Sequence, residues 1–115
     1  MRHISFALTT EQVRNRTKTV TRRLGWKLLK PGTLLQPVEK CQGIPKGGKV
    51  EKIGGPIRVL KVEREPLSGI FVQQGDLRLE GFPNTSPATF VRMFCEHNGC
   101  DEETYVTRIE FEYVD

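Results

Sequence analysis

Ten residues near the C-terminal end, Tyr105 to Val114, alternate more strictly than any other stretch of the chain. Tyr105, Thr107, Ile109, Phe111 and Tyr113 fall on one side, and Val106, Arg108, Glu110, Glu112 and Val114 on the other. A period of two marks a strand with two unlike faces, and such a strand needs neighbours on its edges and a layer over its apolar side. With 115 residues the chain can bury one modest core, so residues 1–115 are expected to form a single domain around that strand.

The remaining elements are short. His3 to Leu8 reads as a strand with Ile4, Phe6 and Leu8 on one face. Thr9 reads as a helix N-cap answered by Gln12 in a capping box, opening about two helical turns that end near Asn15. Thr17 to Arg23 is rich in Thr and Val and reads as a strand entered through a turn. Pro31-Gly32 reverses the chain into a strand from Thr33 to Val38. Ile57 to Glu65 is a strand with Ile57, Val59 and Lys61 on one face and Arg58, Leu60 and Val62 on the other. Asp76 to Glu80 fits a short helix closed by Gly81. Ser86-Pro87 opens a longer one, with Phe90, Val91, Met93 and Phe94 as its apolar face and Asn98-Gly99 as its end. About five strands with two or three short helices imply an α+β domain, a partly closed antiparallel β-barrel with the helices packed on it. Residues 41–56, with five glycines, two prolines and four lysines counting Lys40, read as a long flexible loop.

Charge is unevenly spread. Residues 1–64 carry 15 Lys and Arg against four Asp and Glu, while residues 65–115 carry three against ten. The basic half can serve a polyanion, and the acidic half can be its counterweight within the fold. No apolar run is long enough to span a membrane and no secretory signal is evident, so no membrane association is expected. Cys41, Cys95 and Cys100 are an odd number without framework spacing, which points to free thiols and a cytoplasmic protein. Cys95-Glu96-His97-Asn98-Gly99-Cys100 contains zinc-ligand residue types at poor spacing, so neither a metal nor a cofactor is expected.

The densest cationic stretch, Arg14 to Arg23, places five positive charges and three threonine hydroxyls within ten residues. Arginine forks and short hydroxyl donors suit phosphates and base edges. The same run also reads as a solvated strand edge whose charge protects it against aggregation. On an ideal strand Thr19, Thr21 and Arg23 share one face and Lys18, Val20 and Arg22 the other. Lys18 and Thr21 therefore meet only if the strand begins or bends between them. Trp26 reads either as a stacking platform for a base or as a core-edge residue.

The order of Lys18-Thr19-Val20-Thr21-Arg22-Arg23, a Pro-Gly turn into a strand, Leu77-Arg78-Leu79-Glu80-Gly81-Phe82, a helix from Ser86-Pro87 and the closing strand resembles the ASCH domain family. That resemblance implies a PUA-like barrel that binds RNA or a nucleoside or nucleotide in a basic cleft. Lys18, Thr19, Arg22, Arg23 and Trp26 would be the binding residues. It also implies a second possibility, since a small bacterial branch of that family hydrolyses N4-acylated cytidines. Carried over by motif position, Lys18 would be the base, Thr21 the nucleophile and Glu80 the acid. Here Arg22 directly follows Thr21, where that branch tends to have an apolar residue, and the 41–56 loop is longer than expected. A third reading is a phage or prophage interaction protein whose charged halves bind another protein. A monomer is expected.

Overall fold

The structure is a computed structural model and describes residues 1–40 and 46–115. Among these, strands β1 (Arg2–Ser5), β2 (Val20–Arg23), β3 (Leu34–Val38), β4 (Ile57–Pro66) and β5 (Tyr105–Tyr113) form one sheet in the order β1-β3-β4-β5-β2. The fold is α+β, with helices α1 (Thr10–Arg14), α2 (Asp76–Leu79) and α3 (Pro87–Asn98).

The sheet differs from the expected antiparallel barrel in two respects. First, β1 and β3 run parallel. Between them the chain makes α1 and β2, and such an excursion returns it to the sheet in the starting direction, as a parallel neighbour requires. Second, no backbone ladder joins the outer strands β1 and β2, so the sheet is open. A side chain spans that gap instead. Arg23 Nη2 donates to the Ser5 carbonyl at 2.5 Å, and the guanidinium lies 4.8 Å from the centre of the Phe6 ring.

β5, the best-patterned strand, pairs on both edges, with β4 on one side and β2 on the other. Opposite it, Val59 pairs with Phe111 and Lys61 with Glu110, leaving Leu60 as the extra residue of a β-bulge. The bulge resets the inward phase. Ile57 and Val59 point into the core before it, and Val62, opposite Ile109, packs against the core after it. A regular alternation through Lys61 therefore does not occur.

Two apolar clusters result. One joins Ile4, Phe6, Val13, Leu35, Ile57, Val59, Ile109 and Phe111, and each such side chain fully buried contributes roughly 1.5–3 kcal/mol. The other lies under α3 and joins Leu67, Ile70, Leu77, Phe90, Val91, Phe94 and Val106. α3 begins and ends as its sequence predicts: Ser86 Oγ accepts from the Thr89 N–H at 3.2 Å, and Gly99 closes it at φ 65°. α1 does not use the expected capping box, and Thr9 makes no capping hydrogen bond. Thr10 Oγ1 donates to the Phe6 carbonyl, and Gln12 Nε2 reaches the Gly81 carbonyl at 3.2 Å instead.

Of the predicted 41–56 loop, residues 41–45 lie outside the described residues. Its later part is tied to β3: Ile53 N–H donates to the Pro37 carbonyl, Glu39 N–H to the Glu51 carbonyl, and Ile53 is buried in the first cluster. No helix among the described residues is long and apolar enough to cross a membrane.

Candidate functional site

β2 begins at Val20, so Lys18 stands before the strand and its side chain is released from the strand's alternation. The segment is pinned from both sides. Thr19 N–H donates to the Leu79 carbonyl at 2.8 Å, and Phe111 N–H donates to the Thr19 carbonyl at 3.0 Å. The Tyr113 hydroxyl donates to the Lys18 carbonyl, and burial pushes that phenol up to about 12, which keeps it a donor. Lys18 and Thr21 consequently line the same cavity.

That cavity has a volume of about 140 Å³ and lies between the two apolar clusters. Its polar lining is Lys18, Thr21, Arg22, Arg23 and Glu80, joined by His97 and Asn98 from the end of α3. Its apolar lining is largely aromatic, with Phe6, Phe82, Phe90 and Phe94 beside Ala7, Leu8 and Met93. Phe82 and Phe90 meet edge to face at 5.8 Å.

Three of these side chains, Lys18, Arg22 and Glu80, belong to a buried ionic chain that continues behind the cavity wall. Lys18 Nζ donates to Glu80 Oε1 at 2.9 Å and to the Glu80 carbonyl at 2.7 Å. Arg22 Nη1 donates to Glu80 Oε2 at 2.9 Å and Arg22 Nη2 to Asp76 Oδ2 at 2.7 Å. Arg108 completes the chain with a two-pronged contact to Asp76, at 2.7 and 3.1 Å. All five residues are buried. Burial lowers the Lys18 pKa below its usual range; Glu80 opposes the shift, while Arg23 and Arg22 reinforce it. For Asp76, burial alone would raise the pKa, but hydrogen bonds from Arg108 and Arg22 hold it below the usual carboxylate range. Thr21 Oγ1 accepts from Arg23 Nε at 3.0 Å, which leaves its own proton free to be donated elsewhere. Arg22 Nε is buried without a partner among the described residues.

The structure thus brings Lys18, Thr21, Arg22, Arg23 and Glu80 to one cavity. Thr19 is held through its backbone and does not line it, and Trp26 lies in a separate groove beside Arg2. The Arg22 side chain has no exposure, its guanidinium being committed to Glu80 and Asp76. Sequence reasoning did not single out Asp76 and Arg108. The spacing of Asp76 and Glu80 puts both carboxylates on one face of a helical turn, and that spacing was a readable signal. Arg108 becomes visible only once β2 and β5 are paired in register, Arg22 opposite Arg108. Cys95 and Cys100 meet thiol to thiol at 3.9 Å, and burial raises Cys95 to about 11. Among the described residues no group of three metal-ligating side chains comes together.

Fold and site together define a small α+β domain built around an aromatic cavity with a buried ionic lining. No family model and no curated protein matches the chain. A solved structure does: protein EF3133 from Enterococcus faecalis V583, described under the family model DUF984, aligns with a TM-score of 0.70 over 100% of this chain and 77% of that one. The two sequences are 17% identical, and the likeness is one of fold.

Proposed function

We propose that the cavity takes a single nucleobase, unpaired or modified, presented by RNA or by a free nucleoside, and that the chain is a PUA-like domain of the ASCH type. The observation that carries this reading is the convergence of Lys18, Thr21 and Glu80 on a cavity lined by Phe82, Phe90 and Phe94. A planar heteroaromatic ring matches both halves: its face packs on phenyl rings, and its edge offers acceptors and donors to the buried polar groups. Chemical-shift titration with cytidine, N4-acetylcytidine, uridine and adenosine tests it. At least one nucleoside should shift the methyl and ring signals of Met93, Phe90 and Phe94. A titration in which every nucleoside leaves them unmoved removes this reading.

The lowered pKa of Lys18 favours a second reading, hydrolysis of an N4-acylated cytidine. Thr21 Oγ1 would attack the acyl carbonyl while its proton passes to Lys18. Collapse then breaks the C–N bond, the released amine takes a proton, and water cleaves the acyl-threonine to a carboxylate. Lys18 gives the Thr21 proton to that departing amine, with Glu80 holding its ammonium and able to relay it, and in the second half it takes a proton from the attacking water and returns it to Thr21 Oγ1. Chromatographic assay of N4-acetylcytidine gives cytidine with the wild type and none with Thr21→Val if this reading holds. Turnover surviving in Thr21→Val overturns the assigned nucleophile.

A further inference from the structure

We infer that the groove around Trp26, away from the cavity, is a binding site for single-stranded nucleic acid, holding backbone phosphates through Arg2, Lys27 and Lys30 and a base at the Trp26–Arg2 stack. The groove is lined by those four residues with Leu28 and Leu29, and no carboxylate lines it. Elsewhere several exposed cations are paired with acids: Arg14 with Glu11, Arg16 with Asp115, Arg58 with Glu112 and Lys61 with Glu63, while Arg64 on β4 donates to the Thr107 hydroxyl. Among the described residues Arg2, Lys27 and Lys30 have no such partner. Three uncompensated cations on one concave surface complement a polyanion.

The backbone gives an independent reason. Gly25 and Trp26 stand at φ 75° and 55°, both left-handed. Glycine adopts that conformation without cost, whereas for a bulky aromatic residue it is a strained position. Strain of this kind persists where the surroundings enforce it, and such outliers concentrate at ligand sites. Here it sets the indole under Arg2, whose guanidinium lies 3.9 Å from the ring centre. A guanidinium stacked on an indole is a flat cationic platform that accepts a base on its other side. Leu28, 91% exposed, extends the apolar strip beside it. A lipid surface would call for a protruding aromatic, but Trp26 is half-buried within a groove, and this favours a strand.

Trp26 is the chain's only tryptophan, so its fluorescence reports on this groove alone. Titrating the full chain with single-stranded oligouridylate at low salt should quench that emission, and affinity should fall as salt rises. Lys27→Gln with Lys30→Gln should weaken binding about tenfold and reduce the log–log salt slope by about 1.4, near 0.7 per lost cation. Both side chains are exposed, so the thermal midpoint should not change. Trp26→Phe, followed by anisotropy of labelled RNA, should weaken binding with the salt slope retained. Free nucleosides at the cavity should leave Trp26 emission unchanged, which separates failure of this site from failure of the cavity. An unquenched tryptophan, an unchanged slope in the lysine variant, or stronger quenching by anionic phospholipid vesicles or polyglutamate than by RNA would each overturn the inference.

Discussion

Arg22 on β2 stands directly opposite Arg108 on β5, and both guanidinium groups donate to the one carboxylate of Asp76. Two like charges facing each other across adjacent strands repel, so the pair is tolerable only because α2 places an acid between them. Both partners and the acid are buried, which makes an uncompensated charge costly. Asp76→Asn should therefore destabilise the fold by about 3–5 kcal/mol in urea unfolding. Adding Arg108→Met should recover part of that loss, because the two substitutions act on one contact. A cost below about 0.5 kcal/mol, typical of an unlinked surface position, would refute this account of the pair.

The same contact fixes the acid limb of stability. Asp76 has a folded pKa below its usual value, since the hydrogen bonds from the two arginines outweigh burial. A depressed carboxylate contributes stability in full above the unfolded-state pKa of about 3.9. It loses that contribution as pH falls through the lower folded value. Stability should thus decline below about pH 4, and Asp76→Asn should show a shallower decline there. Parallel pH profiles of the urea midpoint for the two proteins would not support the assignment.

Gly81 links α1 to the ionic chain. It stands at φ 97°, and an added Cβ would lie 2.9 Å from Gln12 Cγ and 3.0 Å from Gln12 Cβ, atoms too near the backbone to swing away. Because Gly81 follows the residue whose carbonyl accepts from Lys18, its conformation also aims that carbonyl. Gly81→Ala should cost roughly 1–3 kcal/mol and, if the cavity takes a nucleoside as proposed, weaken that binding as well. Gly69→Ala is the comparison. Its new Cβ meets the flexible carboxylate end of Glu65 and, at an ordinary contact distance, the Gln73 side-chain amide, so calorimetric melting should show a smaller loss. Equal losses at both positions would contradict the role given to Gly81.

What could be read from the sequence was what local chemistry determines. Ser86-Pro87, Gly99 and the alternation of β5 each specify their element with nearby residues alone, and each appears where the pattern puts it. The reading failed where a distant partner decides. The α1 cap was lost because Gln12 finds Gly81, far along the chain. The β4 phase broke at Leu60 because the bulge is set by pairing with β5. The Gly- and Lys-rich segment concealed Ile53, a single apolar residue that anchors to β3 and the core. In the cavity the motif led to Lys18, Thr21 and Glu80, but treating Arg22 as a surface cation overlooked the acids that α2 brings to it. Charge along a sequence does not tell whether an arginine meets solvent or an internal carboxylate.

Lys18 offers the sharpest test of chemistry in the cavity. Burial, helped by Arg23 and Arg22, draws its pKa below the usual lysine range against the pull of Glu80. If the cavity hydrolyses N4-acetylcytidine as proposed, a lysine that must accept the Thr21 proton is active only when neutral, so turnover should be low in acid. It should then rise with pH through that lowered value, before reaching the ordinary lysine range near 10.4. Lys18→Arg keeps a cation near Glu80 but cannot shed its proton at any working pH. Its turnover should be lost by orders of magnitude, with no alkaline rise, while nucleoside binding in the aromatic cavity persists. Thr21→Ser should retain activity and the wild-type profile, because the hydroxyl remains. Steady-state rates measured from acid to alkaline pH on the three proteins decide the matter. A flat wild-type profile, or an alkaline rise surviving in Lys18→Arg, would remove Lys18 as the base.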